Sequence, residues 1–110
     1  MKAEKVVFRI LNGEVIALFP RLAGSYDPST CLSYMTTGQH SAASVGLGRS
    51  CRLATRREYA PLARELRRIG YKLRVCRRAA PADRAERVRQ IGGLEPLPLE
   101  AAILAKGGAA

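Results

Sequence analysis

Thr55-Arg-Arg-Glu-Tyr-Ala-Pro-Leu-Ala-Arg-Glu-Leu-Arg-Arg-Ile-Gly-Tyr-Lys-Leu-Arg-Val75 is the stretch whose reading decides the fold class. Thr55 and Glu58 have the spacing of a capping box, in which each side chain takes a backbone N–H that the first helical turn leaves open. Tyr59, Leu62, Ala63, Leu66 and Ile69 then recur at intervals of three and four, one apolar stripe at helical period. Gly70 stands where a left-handed residue closes a helix. Pro61 lies past the first turn, so it removes the bond to Arg57 and should kink or tighten the helix opening. After Gly70, Tyr71, Leu73 and Val75 alternate with Lys72 and Arg74, the pattern of a half-buried strand.

Working outward toward the N-terminus, Lys5 to Leu11 and Glu14 to Phe19 flank Asn12-Gly13. Asn-Gly between two apolar runs marks a tight hairpin, because a type I′ turn needs positive φ at both central residues. A two-residue loop sets the register and puts Val6, Phe8, Ile10, Val15, Ala17 and Phe19 on one apolar face for the helix to cover. The other face, with Lys5, Val7, Arg9, Leu11, Glu14, Ile16 and Leu18, is mixed. It is either covered by another element or open for binding. Pro20 is expected to end the second strand, and residues 21–29 read as a loop. Thr30 to Thr36 reads as a third strand, with either side toward the core. Residues 37–50 are small and polar with three glycines and read as a long loop.

Toward the C-terminus, Pro81 to Ile91 is expected to form a short helix with Ala85, Val88 and Ile91 on its apolar side. Leu99 to Ala105 suggests another. The fold class is therefore α+β: a small antiparallel sheet with one main packed helix, order βββαβ, and a weakly helical tail. The division is an α+β domain over 1–78 and a C-terminal tail, partly helical or flexible, over 79–110.

The chain has 110 residues and a net charge of +10. The excess is local. Residues 49–78 hold eleven bases against two acids, whereas the segments on either side are close to neutral. Arg56, Arg57, Arg64, Arg67 and Arg68 lie off the apolar stripe, and Lys72 and Arg74 point away from the core side of their strand. A charge run is often only a solvated face. A solvated helix usually mixes both signs, though, and this one nearly omits acids. Guanidinium forks suit phosphate oxygens, and clustered exposed arginine is the electrostatic footprint of nucleic-acid binding. Few tyrosines are free to stack on bases, so backbone contact is better supported than base stacking. An acidic protein partner would use the same face.

Enzymatic chemistry finds less support. His40 is the single histidine and, with Gln39, forms a candidate loop site near Tyr34 and Ser41. A nucleophile–base pair needs Ser or Cys within reach of the imidazole; Cys31, Cys51 and Ser41 supply the types but no recognisable pattern. Cys31, His40, Cys51 and Cys76 match no compact zinc module. Gly46-Leu47-Gly48 does not follow a phosphate-loop pattern. No catalytic residue, metal or cofactor is implied. The odd number of cysteines and the lack of a secretion-type apolar segment argue against a disulfide framework and for a cytoplasmic setting. No apolar run is long enough to span a bilayer.

Taken together, Val-Ile-Ala-Leu-Phe-Pro (15–20), Cys-Leu-Ser-Tyr (31–34), Gly-Gln-His (38–40) and Ala-Thr-x-x-Glu-Tyr-x-x-Leu-x-x-Glu-Leu-x-x-x-Gly-Tyr-x-Leu-x-Val (54–75) resemble a family of small uncharacterised bacterial proteins. That family is met on plasmids, phages and integrated elements. The resemblance covers about residues 5–78. It implies a cytosolic accessory protein of mobile DNA and assigns no catalytic residues. The basic helix and the segment from residue 79 depart from it.

Overall fold

The structure is a computed structural model that describes residues 3–93. In chain order the elements are β1 (Glu4–Leu11), β2 (Glu14–Ala23), β3 (Thr30–Met35), β4 (Gln39–Ser44), α1 (Leu47–Ser50), α2 (Arg56–Arg68), β5 (Leu73–Cys76) and α3 (Pro81–Gly93). The strands form one five-stranded sheet in the order β4-β3-β2-β1-β5. The class is α+β.

The hairpin forms as its turn residues dictate. Asn12 and Gly13 take φ of 51° and 81°, and β1 pairs with β2 in the expected register, with Leu11 opposite Glu14 and Phe8 opposite Ala17. Val6, Phe8, Ala17 and Phe19 are buried against Leu62, Ala63 and Leu66 of α2. Phe8 stacks on Tyr59 and Phe19 on Tyr71, with centroids 4.5 and 4.9 Å apart. Leu32 and Tyr34 turn β3 toward this same helix face, while Cys31 and Met35 join Ile16, Leu18 and Ala43 on the far face.

Thr55 and Glu58 make the full capping box, and α2 runs on through the exposed Pro61. Ile69 departs from the expected stripe: it sits at the helix C-cap and is 50% exposed. The chain there is already turning through Gly70, whose φ is +118°.

Four expectations are corrected. First, β2 does not end at Pro20 but continues to Ala23. The β2–β3 register shifts between Phe19 and Ala23, and a proline, which cannot donate to a ladder, is tolerated where the pairing is interrupted. Gly24 follows where a Cβ would lie 2.4 Å from the Cys31 carbonyl oxygen. Second, residues 37–50 are not a loop. Gly38, at φ 83°, turns the chain back into β4, which pairs with β3, and α1 follows. As an edge strand with only Ala43 buried, β4 carries no apolar alternation to read.

Third, the sheet is mixed, because β5 pairs with β1 in parallel. The chain leaves β4 and α1 beside the distal half of β1, where Ala54 N–H bonds the Phe8 carbonyl. The thirteen residues of α2, about 20 Å of helix, carry it back to the start of β1. There Glu4 N–H bonds the Lys72 carbonyl, so β5 can only run alongside β1 in the same direction. Order βββαβ thus becomes ββββααβα.

Fourth, α3 forms as expected but with a different inner face. Ala85 and Val88 are exposed; Asp83, Arg87 and Ile91 are buried. The helix is held on the far face of the sheet by polar anchors. Lys5 Nζ meets Asp83 Oδ2 at 2.8 Å, Arg87 donates to the Pro20 and Pro28 carbonyls, and Gln90 accepts from Ala23 N–H and donates to the Arg21 carbonyl. The mixed face of the hairpin is therefore covered by α1 and α3. The expected helix over Leu99 to Ala105 lies outside the described residues.

Candidate nucleic-acid interface

The arginines of α2 are arranged by helical geometry. At about 100° per residue, Arg56, Arg67, Arg64, Arg57 and Arg68 fall within roughly one third of the helix circumference. Glu58 and Glu65 fall on the opposite flank, beyond the buried stripe. All five arginines are exposed. Among the described residues none of the five has a carboxylate within salt-bridge distance; the ion pairs there are Lys5–Asp83, Arg21–Glu86, Arg52–Glu58 and Arg89–Glu86.

Only part of this arc faces the outer strand; Arg57 and Arg68 point away from the buried stripe into solvent. Arg56, Arg64 and Arg67 line a groove of about 370 Å³ with Tyr59 and Val75. It continues into a hollow of about 570 Å³ that shares Arg56, Tyr59 and Val75 and adds Arg77. Val75 is 39% exposed, so the floor is partly apolar and the walls are cationic.

The other two expected members stand apart. Val75 lies opposite the buried Val6, whereas Arg74 lies opposite Lys5 on the far face. Arg74 lines a pocket with Glu4, Arg21 and Glu86, and its guanidinium contacts Cys76 Sγ at 3.4 Å. Burial raises the Glu4 carboxyl above its ordinary value there, with Arg21 and Arg74 opposing the rise. Lys72 is exposed just before β5. The seven expected residues thus divide into a helix flank of five and a strand end of two.

Gln39 and His40 do not form one site, because successive residues of a strand point to opposite faces. His40 pairs with Tyr34 across β3–β4 and meets it edge-on at 4.8 Å between centroids. Its Nε2 lies 2.8 Å from the Tyr71 hydroxyl. Ser41 turns the other way and bonds Ser33. Cys31, on the far face, has its thiol pushed up by burial, so it is neither near the imidazole nor ionised. The Tyr34 hydroxyl is raised by its hydrogen bond to Glu65 and by burial. The arrangement ties β4 to the end of α2 through aromatic and polar contacts. Spacing alone could not supply Tyr71 as the partner of His40, since the two are joined only by the fold. Among the described residues no group of three His, Cys, Asp or Glu stands close enough to hold a metal ion, and no helix is long and apolar enough to cross a membrane.

Arg52, though basic, is not part of the free flank: it forks onto Glu58 with contacts of 2.8 and 2.6 Å. That pair, with the Thr55 N–H, pulls the Glu58 carboxyl down to about 2. Comparison with family models, curated proteins and solved structures finds no match to the chain.

Proposed function

We propose that this chain is a non-enzymatic accessory protein that binds the sugar–phosphate backbone of nucleic acid through the arginine flank of α2. The observation that carries the reading is the separation of charge on that helix: five exposed arginines on one flank without carboxylate partners among the described residues. Surface cations with no function are commonly interleaved with acids; here the acids are gathered on the other flank, and Glu58 is engaged by Arg52. Several forks on one rigid helix match the spacing of successive phosphates better than they match a single small anion. The groove offers one partly exposed tyrosine, Tyr59, already stacked on Phe8, so base stacking contributes little. The cytosolic, mobile-DNA setting rests on the sequence resemblance.

The test is a titration of the purified chain with labelled duplex DNA, single-stranded DNA and RNA, repeated with Arg64→Glu/Arg67→Glu/Arg68→Glu. Their side chains are exposed, so the variant should keep its fold and melting temperature while binding is abolished. Unchanged binding by the variant would sink the reading.

A second reading is favoured by the outer edge of β5. That strand ends the sheet and exposes Val75 beside the arginine flank, so an acidic extended segment of a protein partner could add to the edge. Capture of one specific protein after nuclease treatment, lost on the same triple substitution, would replace nucleic acid with that partner.

A further inference from the structure

On the far face of the sheet, a cleft of about 680 Å³ opens between β1, α1 and the start of α3. Among the described residues five arginines line it, Arg9, Arg49, Arg78, Arg84 and Arg87, and no acid does; the rest of the wall is small or apolar. Three of the five come from outside the conspicuously basic segment, so composition does not reveal the cluster. Fold geometry assembles it.

Two of these arginines are held in place before any ligand arrives. Arg9 donates to the Arg77 carbonyl at 2.6 Å and to the Cys51 carbonyl at 3.4 Å, while its Nε is buried with no partner. Arg87 is 4% exposed and donates only to the Pro20 and Pro28 carbonyls. Among the described residues no carboxylate pairs with it. Its neighbour one turn earlier, Asp83, is taken by Lys5. A charge removed from water is normally matched by an opposite charge. Among the described residues Arg87 has none, and it borders an open cleft whose other charged walls there are all cationic. Arg49, Arg78 and Arg84 are exposed at the rim, and the volume is that of a small-molecule site.

We propose that this cleft binds a phosphate group carrying two negative charges. A carboxylate offers two oxygens and one charge. A terminal phosphate offers three oxygens and nearly two charges, which suits several guanidinium forks converging from different elements. The group belongs either to a free phosphate or mononucleotide or to the end of a nucleic-acid strand. The site is on the opposite sheet face from α2, so it is independent of the backbone-binding reading.

The experiment is a calorimetric and phosphorus-NMR titration of the full chain at about 0.15 M salt. The probes are inorganic phosphate, adenosine monophosphate and adenosine. Saturable binding of either phosphate compound with a Kd below about 1 mM, and none of adenosine, is expected. Arg49→Gln/Arg78→Gln/Arg84→Gln, with its fold checked by melting, should weaken that binding about tenfold or more. The triple α2 variant should leave it within about twofold, which separates failure here from failure of the first site. A dinucleotide with and without a terminal phosphate then identifies the source: a clear preference for the phosphorylated form over the free mononucleotide assigns strand ends, and the reverse assigns a free ligand. Arg87→Met, if it folds, should lose the rise in melting temperature that phosphate gives the wild type. No saturable binding of either phosphate compound, or unchanged binding by the folded rim variant, overturns the proposal.

Discussion

Glu58 answers to two partners, the Arg52 guanidinium and the Thr55 N–H. Its carboxyl ionises at about 2 rather than its ordinary 4.5. A depressed carboxyl contributes stability above its unfolded value and loses that contribution as pH falls through its folded value. The contribution of Glu58 should therefore fade between pH 4.5 and about 2. Glu58→Gln should flatten the acid limb of a melting-temperature profile in that window and lower stability at neutral pH. A more deeply buried pair behaves differently. Lys5 and Asp83 are 9% and 6% exposed. Burial works against ionised Asp83, but the Ala80 N–H and the Lys5 ammonium outweigh it and hold the carboxyl below its usual range. Lys5→Met leaves that carboxylate without its cation and should cost about 3–5 kcal/mol in urea unfolding. Lys5→Met with Asp83→Leu should recover most of the loss, short of the about 1 kcal/mol of the Ala80 cap. Of these contacts only the capping box was legible in the residues. Lys5 and Asp83 are 78 positions apart, and nothing local marks either as buried.

Elements with strong local codes are legible in the residues: the Asn12-Gly13 hairpin, the capped α2, and the strand after Gly70. Those missed were defined by their neighbours. β4 is small and polar because one side of its ladder is open, and Gly38 at its start looks like any loop glycine until its φ is known. The spacing of Ala85, Val88 and Ile91 marks α3 as a helix but points to a face that is not the one buried. Its seat is a set of backbone carbonyls and N–H groups left over by the Pro20 irregularity, which Arg87 and Gln90 reach and Val88 could not. A chain stopped after Ala80 should therefore leave Lys5 and the backbone groups of Pro20, Arg21 and Ala23 without their α3 partners, and melt lower and less sharply than the full chain. Unchanged melting would show that α3 adds no stability to the sheet.

At the scale of the whole fold, the described residues gather arginines without carboxylate partners at two places, the exposed face of α2 and the cleft behind the sheet. The first was visible in the sequence because its members are neighbours in the chain. The second was not, because Arg9, Arg49 and Arg87 meet only after β1, α1 and α3 are stacked. If the five arginines of α2 each neutralise one phosphate, the logarithm of duplex affinity should fall with the logarithm of salt concentration with a slope of about −4.5. Arg67→Gln alone should reduce that slope by about one. A slope unaffected by substitutions on α2 would place the contact elsewhere.

The parallel pairing of β1 with β5 joins the beginning of the chain to a strand near position 75. During synthesis β1 and β2 leave the ribosome as a hairpin, but among the described elements the strand that covers the outer edge of β1 is β5, which follows only after α2. Contacts so remote in sequence form late. In the interval that edge is a nascent strand carrying Val6 and Phe8, open to pairing with another chain. The thirteen residues of α2 must form and cross the sheet before it closes. The rate at which this helix docks therefore governs how long a newly made copy remains at risk of aggregating.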